Sequence, residues 1–373
     1  MRIGLITHDF ERTGGHSRYV VELARRFARD HEVHVFANTF AEPLPSGARA
    51  HAVRAVRRTA LTTILSFAAS RPGSDVPLDI VHAQGISGAP ANVVTAHICN
   101  ARWLEARRDP DGRVSYKDRF FAAAVVPLER RLFARSDMRA IAVSRVVAQD
   151  LVQCYRRTGA IDVIPHGVDP AQFNPERTAA LRQAARLAYG VADPTFVALF
   201  VGDLRKGAHR LVEAASRIPY VTVLLVSRSD PSEILSRAAQ LGCANRVMTS
   251  GLTRDIERAY AAADAFVLPT PYDAFGMVIT EAMACGIPVV TTDRAGAAEV
   301  INNGIDGLIL ADPDDTSVLA RTIEGLADDE SDRLQIGQAA ARKAASLTWD
   351  HVAAQTMNVY EQVIGRTTAG AAA

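Results

Sequence analysis

Two carboxylates, Asp273 and Glu281, stand with seven residues between them in Tyr272-Asp273-Ala274-Phe275-Gly276-Met277-Val278-Ile279-Thr280-Glu281. Such a pair can accept hydrogen bonds from ligand hydroxyls. On one continuous helix the two would lie roughly 80° apart and about 12 Å along the axis. The loop-like start at Asp273-Ala274 changes this. A helix beginning near Phe275 or Gly276 leaves Asp273 just outside its N-terminus and Glu281 about 7–8 Å inside it. The backbone N–H groups of Gly276, Met277 and Val278 then face the space between, an anion site with an acid on either side. The plainer reading makes Asp273 an N-cap and Glu281 a solvated helix residue.

A diphosphate in that space would need cations as well as N–H donors. Arg205-Lys206-Gly207 supplies two, just after Asp203-Leu204 and the apolar run Phe196 to Gly202. Both segments follow strands of the same half of the chain, so both belong to one sheet edge, where ligands of open parallel sheets bind. His97 ends the apolar run that begins at Asn92 and should stand at such an edge in the other half; a lone histidine there can equally be structural. Near the start, Gly14-Gly15 closes a turn after Arg2 to Thr7. The pair lacks the G-x-G-x-x-G spacing of a dinucleotide site and suits a turn that lets a ligand approach the backbone.

The elements that must position these residues alternate between strand and helix, twice over. Strands are predicted at 2–7, 32–37, 79–85, 92–97 and 139–144, the stretch 162–169 closes the first half, and further strands are predicted at 196–202, 221–226, 246–251, 265–269, 287–291 and 306–310. Helices are predicted at 19–27, 120–135, 145–156, 208–217, 231–241, 253–263, 313–328, 329–346 and 349–364. Ser144 is placed to cap its helix. The polar stretch 102–117 reads as a mobile loop. Arg54, Arg57 and Arg58 precede an apolar segment at 60–69, which can lie on a membrane surface or form a core helix with a charged flank. Pro170 to Glu176 has two prolines and no periodicity and reads as a linker. The pattern is α/β, two doubly wound domains with a cleft between them.

Composition agrees with an ordinary globular protein: 373 residues suit two domains, with 48% hydrophobic and 22% charged residues. A net charge of +1 gives no pull toward nucleic acid. The charge is uneven, with 24 Lys and Arg against 17 Asp and Glu in residues 1–170, and 18 against 24 thereafter. A basic N-terminal half suits an anionic acceptor or membrane surface, or is simply solvated arginine. Cys99, Cys154, Cys243 and Cys285 have no framework or zinc spacing. No DxD pattern suggests a metal; Asp312-Pro313-Asp314-Asp315 has the letters but opens a helix, where acids are ordinary. No signal peptide or spanning segment is apparent, so the expected compartment is the cytoplasm, with the inner membrane face as an extension.

The motifs resemble the retaining glycosyltransferases of family 4. The most specific match is the acid-x7-acid motif running through Glu281-Ala282-Met283-Ala284-Cys285-Gly286-Ile287-Pro288-Val289-Val290. Gly14-Gly15, His97, Ile164-Pro165-His166-Gly167-Val168-Asp169, Lys206-Gly207, Gly296 to Glu299 and Gly304-Ile305-Asp306-Gly307 support it. The resemblance covers nearly the whole chain and implies the GT-B fold, two Rossmann-like domains facing each other across a deep cleft. The domains would be 1–170, for the acceptor, and 171–348, for the donor, with a helix at about 349–365 packing back on the first. It implies metal-independent transfer of a sugar from a UDP- or GDP-sugar to a hydroxyl of a saccharide, lipid-linked or small-molecule acceptor, without a cofactor. Glu281 would hold the donor ribose and Asp273 the transferred sugar. Phe275, Gly276, Met277 and Val278 would offer amides, Arg205 and Lys206 would hold the diphosphate, and Gly14 and Gly15 would approach it. His97 would face the reacting sugar, and the base would lie near Gly251 and Leu252. The chain departs from the pattern at Asp273, usually Glu, at His166, usually Asn, and at Asp203, usually Arg. A sugar-nucleotide 2-epimerase and a non-catalytic subunit of the same fold are the alternatives; a pyridoxal-phosphate phosphorylase has no matching lysine segment.

Overall fold

The computed structural model describes residues 1–107, 115–251 and 255–371, with side chains as far as 365. The chain divides into two compact units, Met1–His166 with Trp349–Ala373, and Gly167–Thr348. The first boundary falls four residues before the proline-rich linker. The reason is that Val168 already belongs to the second unit, its N–H donating to the Leu347 carbonyl.

The first unit holds a seven-stranded parallel sheet. In chain order its strands are β1 (Arg2–Ile6), β2 (Glu32–Ala37), β3 (Ala48–Ala52), β4 (Ile80–Gln84), β5 (Val93–Ala96), β6 (Arg139–Ala142) and β7 (Ile161–Val163), and in space they run β3-β2-β1-β4-β5-β6-β7. The order reverses beside β1, the topological switch at which such sheets take ligands. The helix Gly15–Phe27 crosses from β1 to β2, burying Tyr19, Val20, Leu23 and Phe27. The helix Trp349–Ala371 belongs to this unit, tied to it by Arg26–Asp350 at 3.0 Å and by Tyr360 against His82 at 2.6 Å.

The second unit holds a six-stranded parallel sheet of β8 (Phe196–Val201), β9 (Val221–Ser227), β10 (Val247–Gly251), β11 (Ala265–Leu268), β12 (Val289–Thr292) and β13 (Leu308–Leu310), ordered β10-β9-β8-β11-β12-β13. Every residue of β8 is buried, as expected of a strand in the middle of a sheet covered by helices on both faces. Because β8 and β11 are neighbours, the segments after them, one carrying Lys206 and the other Asp273, emerge side by side.

Four elements differ from the sequence reading. The helix Pro175–Ala188 lies where no helix is predicted. Its start is well encoded, with Asn174 capping the Arg177 N–H at 2.8 Å and proline in the first turn, but only Ala185 and Arg186 are buried, so it carries no apolar stripe. The strand β3 is an edge strand with no buried residue and so no alternation to detect. The supposed loop 102–117 contains the end of a helix, Asn100–Glu105, and the start of another, Tyr116–Phe133. The first is fastened by polar contacts, Arg102 to Asp150 at 2.9 Å and Asn100 to Glu129 at 2.7 Å, rather than by apolar burial. Residues 108–114 lie outside the described residues. Lastly, the apolar segment forms the helix Ala60–Ala69, yet Phe67 alone is buried, so it is not the interior core helix that one reading expected.

Candidate functional site

In the second unit the structure builds a polar constellation at the C-terminal edge of the sheet. After β8 the chain turns at Gly202, and Asp203 caps a short 3-10 turn, Leu204–Lys206. Gly207 follows at φ +110°, where a Cβ would lie 2.2 Å from the Pro269 carbonyl oxygen. Only glycine fits there, and it lets the Lys206 turn press against the end of β11. Lys206 Nζ donates to Asp273 Oδ2 at 2.7 Å. Asp273 is itself held rigidly: its N–H donates to the Arg294 carbonyl, its carbonyl accepts from Gly296, and its Oδ1 accepts from the Phe275 N–H.

The helix Met277–Ala284 begins directly after Gly276, which sits at φ +88° as its cap and brings no side-chain acceptor. Met277 and Val278 are half-buried at this open N-terminus. Asp273 therefore stands outside the helix mouth, as the spacing suggested, but the Phe275 amide is engaged with Asp273 rather than kept for a ligand. Glu281, one turn further in, is not a solvated helix residue. It is 6% exposed, and its Oε2 accepts from the Tyr260 hydroxyl at 2.8 Å.

The two cations are both paired within the unit. Arg205 bonds Asp203 through Nε at 2.9 Å and Nη2 at 2.5 Å, so the acid that replaces the usual arginine occupies its neighbour's charge. Lys206 is opposed by Asp273. Burial by itself would lower the Lys206 ammonium, but the charge and hydrogen bond of Asp273, with Asp203 behind, outweigh it and hold it above its ordinary value. Lys206 is a cation throughout the neutral range and remains 39% exposed.

Beside this constellation is a cavity of about 420 Å³, lined by Leu204, Ser227, Arg228, Asp230, Thr249 and Gly251 among others. It opens at the ends of β9 and β10, next to the Lys206 turn, and is large enough for a nucleoside base. Gly251 is on its wall; Leu252 lies outside the described residues.

In the first unit His97 follows β5 at the sheet edge. Its Nε2–H donates to Gln84 Oε1 at 2.7 Å and its Nδ1 faces His166 Nε2 at 3.4 Å. The two imidazoles stack at 5.2 Å, and Tyr19 packs edge-on against both. Burial, then the proximity of His166, His16 and His82, keeps His97 well below its usual range, so the ring is neutral. Gln84 Nε2 is buried and, among the described residues, has no protein partner. Gly14 caps the helix Gly15–Phe27 in extended conformation and without a side-chain acceptor, and Gly15 is its first residue. A Cβ on Gly14 would meet only Ser17, at 3.7 Å, so sterics do not demand glycine there. Tyr260 and Gln84 were not anticipated. Each bonds a candidate residue on another element, 13 residues away for Gln84 and 21 for Tyr260, and neither has a local signal.

Two parallel sheets of this kind, each with its candidate residues at its own C-terminal edge, are those of a GT-B fold. The protein is similar over 96% of its length to WaaG, a glycosyltransferase involved in lipopolysaccharide biosynthesis (99% of that chain, TM-score 0.80, 21% identity). It is similar over 98% to the sucrose-phosphate synthase of Thermosynechococcus elongatus (99% of that chain, TM-score 0.80, 22% identity). A third likeness, to Anabaena Alr3699/HepE solved with UDP-glucose, covers 97% of this chain and 100% of the other (TM-score 0.70, 20% identity). At these identities the likeness is one of fold. A family model described as Glycosyltransferase Family 4 matches residues 13–172, one described as Glycosyl transferases group 1 matches 195–329, and the chain belongs to glycosyltransferase family 4. Curated relatives include the D-inositol 3-phosphate glycosyltransferases of Pseudarthrobacter chlorophenolicus (34% identity over 242 residues, 61% of this chain, 56% of the relative) and Mycolicibacterium smegmatis (30% over 237 residues, 61% and 53%). The matched part of the chain spans little more than half the length of these relatives.

Proposed function

We propose that the protein is a retaining glycosyltransferase that moves a sugar from a nucleoside-diphosphate sugar, UDP- or GDP-linked, to a hydroxyl acceptor without a metal ion. The observation that carries this is the convergence in one unit of Lys206 on Asp273 at the open mouth of the helix Met277–Ala284, with the buried Glu281 one turn inside. A diphosphate at that mouth meets backbone N–H groups and one ammonium, and a ribose reaches a carboxylate. When the glycosyl–phosphate bond breaks, negative charge grows on the departing diphosphate, where Lys206 and the helix N-terminus stabilise it. Arg205, already paired with Asp203, assists once that pair opens. Asp273 and His97 are assigned to the hydroxyls of the transferred sugar, Gly14 and Gly15 to the donor phosphate, and the cavity at Gly251 to the base. The UDP-glucose complex of a structural neighbour supports UDP as the first donor to try, and the curated relatives support D-inositol 3-phosphate as the first acceptor.

A thermal-shift titration with UDP, GDP, ADP and their glucose conjugates tests this. At about 100 times the dissociation constant the true nucleotide adds roughly 2.7 kcal/mol of stability. Turnover of the matching sugar should be the same in EDTA and in magnesium. Loss of turnover in EDTA would refute metal independence, and no stabilisation by any nucleotide would refute the donor site.

We place the enzyme in the cytoplasm, with peripheral contact at the inner face of the membrane. Among the described residues no helix is long and apolar enough to cross a membrane. The contact is supported by the helix Ala60–Ala69, with Leu65 42% exposed, preceded by Arg54, Arg57 and Arg58. The protein should co-float with vesicles rich in phosphatidylserine and not with neutral ones. Equal recovery from both would remove the proposal.

A further inference from the structure

The buried Glu281 raises a question that the donor reading does not answer. A carboxylate on the second turn of a helix can rotate about its side-chain bonds, and a mobile acid holds a sugar diol poorly. We infer that Tyr260 is a positioning residue: it fixes the Glu281 carboxylate in the orientation that receives the two ribose hydroxyls of the donor, and this inference rests on the proposed function.

Tyr260 sits on the helix Ile256–Ala262 and is fully buried. Phe173 packs edge-on against its ring at 5.8 Å, and Phe266 of β11 lies on another side at 6.2 Å. Its ring is therefore locked, and its hydroxyl has a fixed position. That hydroxyl lies 2.8 Å from Glu281 Oε2 and 3.3 Å from the carbonyl oxygen of Val278. One O–H has one proton to donate, and the shorter, charge-assisted bond to the carboxylate is the stronger. The phenol thus sets the plane of the carboxylate before a ligand arrives. It also spans from the acid to the first turn of the same helix, the turn whose N–H groups face the phosphates. The two ends of a nucleotide, diol and diphosphate, are in this way referenced to one rigid aromatic.

An ionised carboxylate only accepts hydrogen bonds, and a ribose diol offers two donors. Preorganisation of the acceptor lowers the ordering cost that binding must otherwise meet. The effect of Tyr260 should therefore appear only for ligands that carry the ribose hydroxyls. A merely structural tyrosine would affect every ligand of the unit alike.

The experiment compares the full-length protein with Tyr260→Phe, Glu281→Gln and the double variant. Isothermal titration with UDP, 2′,3′-dideoxyuridine diphosphate and pyrophosphate supplies the dissociation constants, and Tm reports on folding. Tyr260→Phe is expected to weaken UDP about 5- to 20-fold and to leave the dideoxy analogue and pyrophosphate within twofold of the wild type. The double variant should bind UDP no more weakly than Glu281→Gln alone, because the tyrosine acts only through the acid. The inference is overturned if Tyr260→Phe binds UDP as the wild type does, or weakens all three ligands equally. If the wild type itself binds pyrophosphate but none of UDP, GDP and ADP, the donor reading fails first and the inference falls with it.

Discussion

Replacing Lys206 with alanine is expected to lower the turnover of the nucleotide sugar about 10²- to 10³-fold, with KM changed far less. The expectation follows from where the ammonium is and what keeps it charged. It stands 2.7 Å from Asp273 at the helix mouth, and Asp273 and Asp203 hold its pKa up against burial. Negative charge on the diphosphate oxygen becomes large only as the glycosyl bond breaks. A cation aimed at it therefore acts on the transition state more than on the bound donor. Removing one such preorganised donor commonly costs two to three decades in kcat. Steady-state kinetics of donor hydrolysis or transfer, with Tm to confirm folding, reads this directly. A rise in KM at constant kcat would assign Lys206 to ground-state binding alone. Asp273→Asn is the informative companion. It frees the ammonium from its partner, so the diphosphate should bind at least as tightly, while any contact of Asp273 with the transferred sugar is lost from kcat.

Much of this constellation was legible before the structure was known, and the reason is local. Gly276, the eight-residue spacing from Asp273 to Glu281 and the apolar strands before both segments are features of contiguous chain. What spacing could not give was pairing. Lys206 and Asp273 read as belonging to opposite ends of a ligand, the one for diphosphate and the other for sugar; the adjacency of β8 and β11 sets them on each other. Arg205 read as a second free cation, although its partner Asp203 is only two residues away. Tyr260 was invisible because its meaning lies in a hydroxyl that reaches another helix. The same division holds for the fold. Buried strands such as β8 announce themselves by composition. The helix Pro175–Ala188 and the edge strand β3 show little burial and so leave little pattern. The helix Asn100–Glu105 depends on an ion pair of Arg102 with Asp150 and a hydrogen bond to Gln153, some 50 positions away.

The first unit should lose stability in acid unusually early, by several kcal/mol between pH 7 and pH 5. His82 is fully buried, bonded to Tyr360 and Thr95 at 2.6 Å each, and burial lowers its pKa to about 3. Burial, with His16 and Arg18 nearby, lowers His166 to about 3, and His97 is also well below its usual range. The charged and titratable groups that bear on these rings are each other, His16 and Arg18; all oppose a further proton. In the unfolded chain each imidazole titrates near 6.5. The folded unit thus binds fewer protons than the unfolded one below that pH. Stability is fully present above pH 6.5 and drains as pH falls from 6.5 toward 3. At pH 5 the cost is about 2 kcal/mol for each of His82 and His166 and about 4 kcal/mol for the two, a large part of the stability of an ordinary domain. Urea denaturation followed by tryptophan fluorescence isolates the effect, because both tryptophans, Trp103 and Trp349, are in the first unit. Trp349 lies against His166 and Tyr19, with ring centroids at 5.9 and 6.2 Å. His82 and His166 should together contribute an uptake of nearly two protons near pH 5 to the slope of stability against pH. His166→Asn, which restores the residue the family pattern usually carries there, should reduce that uptake by nearly one proton and flatten the slope accordingly. A slope unchanged in that variant, or near zero in the wild type, would mean that the cluster is hydrated and already protonated. His97 could not then serve as a neutral partner for a sugar hydroxyl.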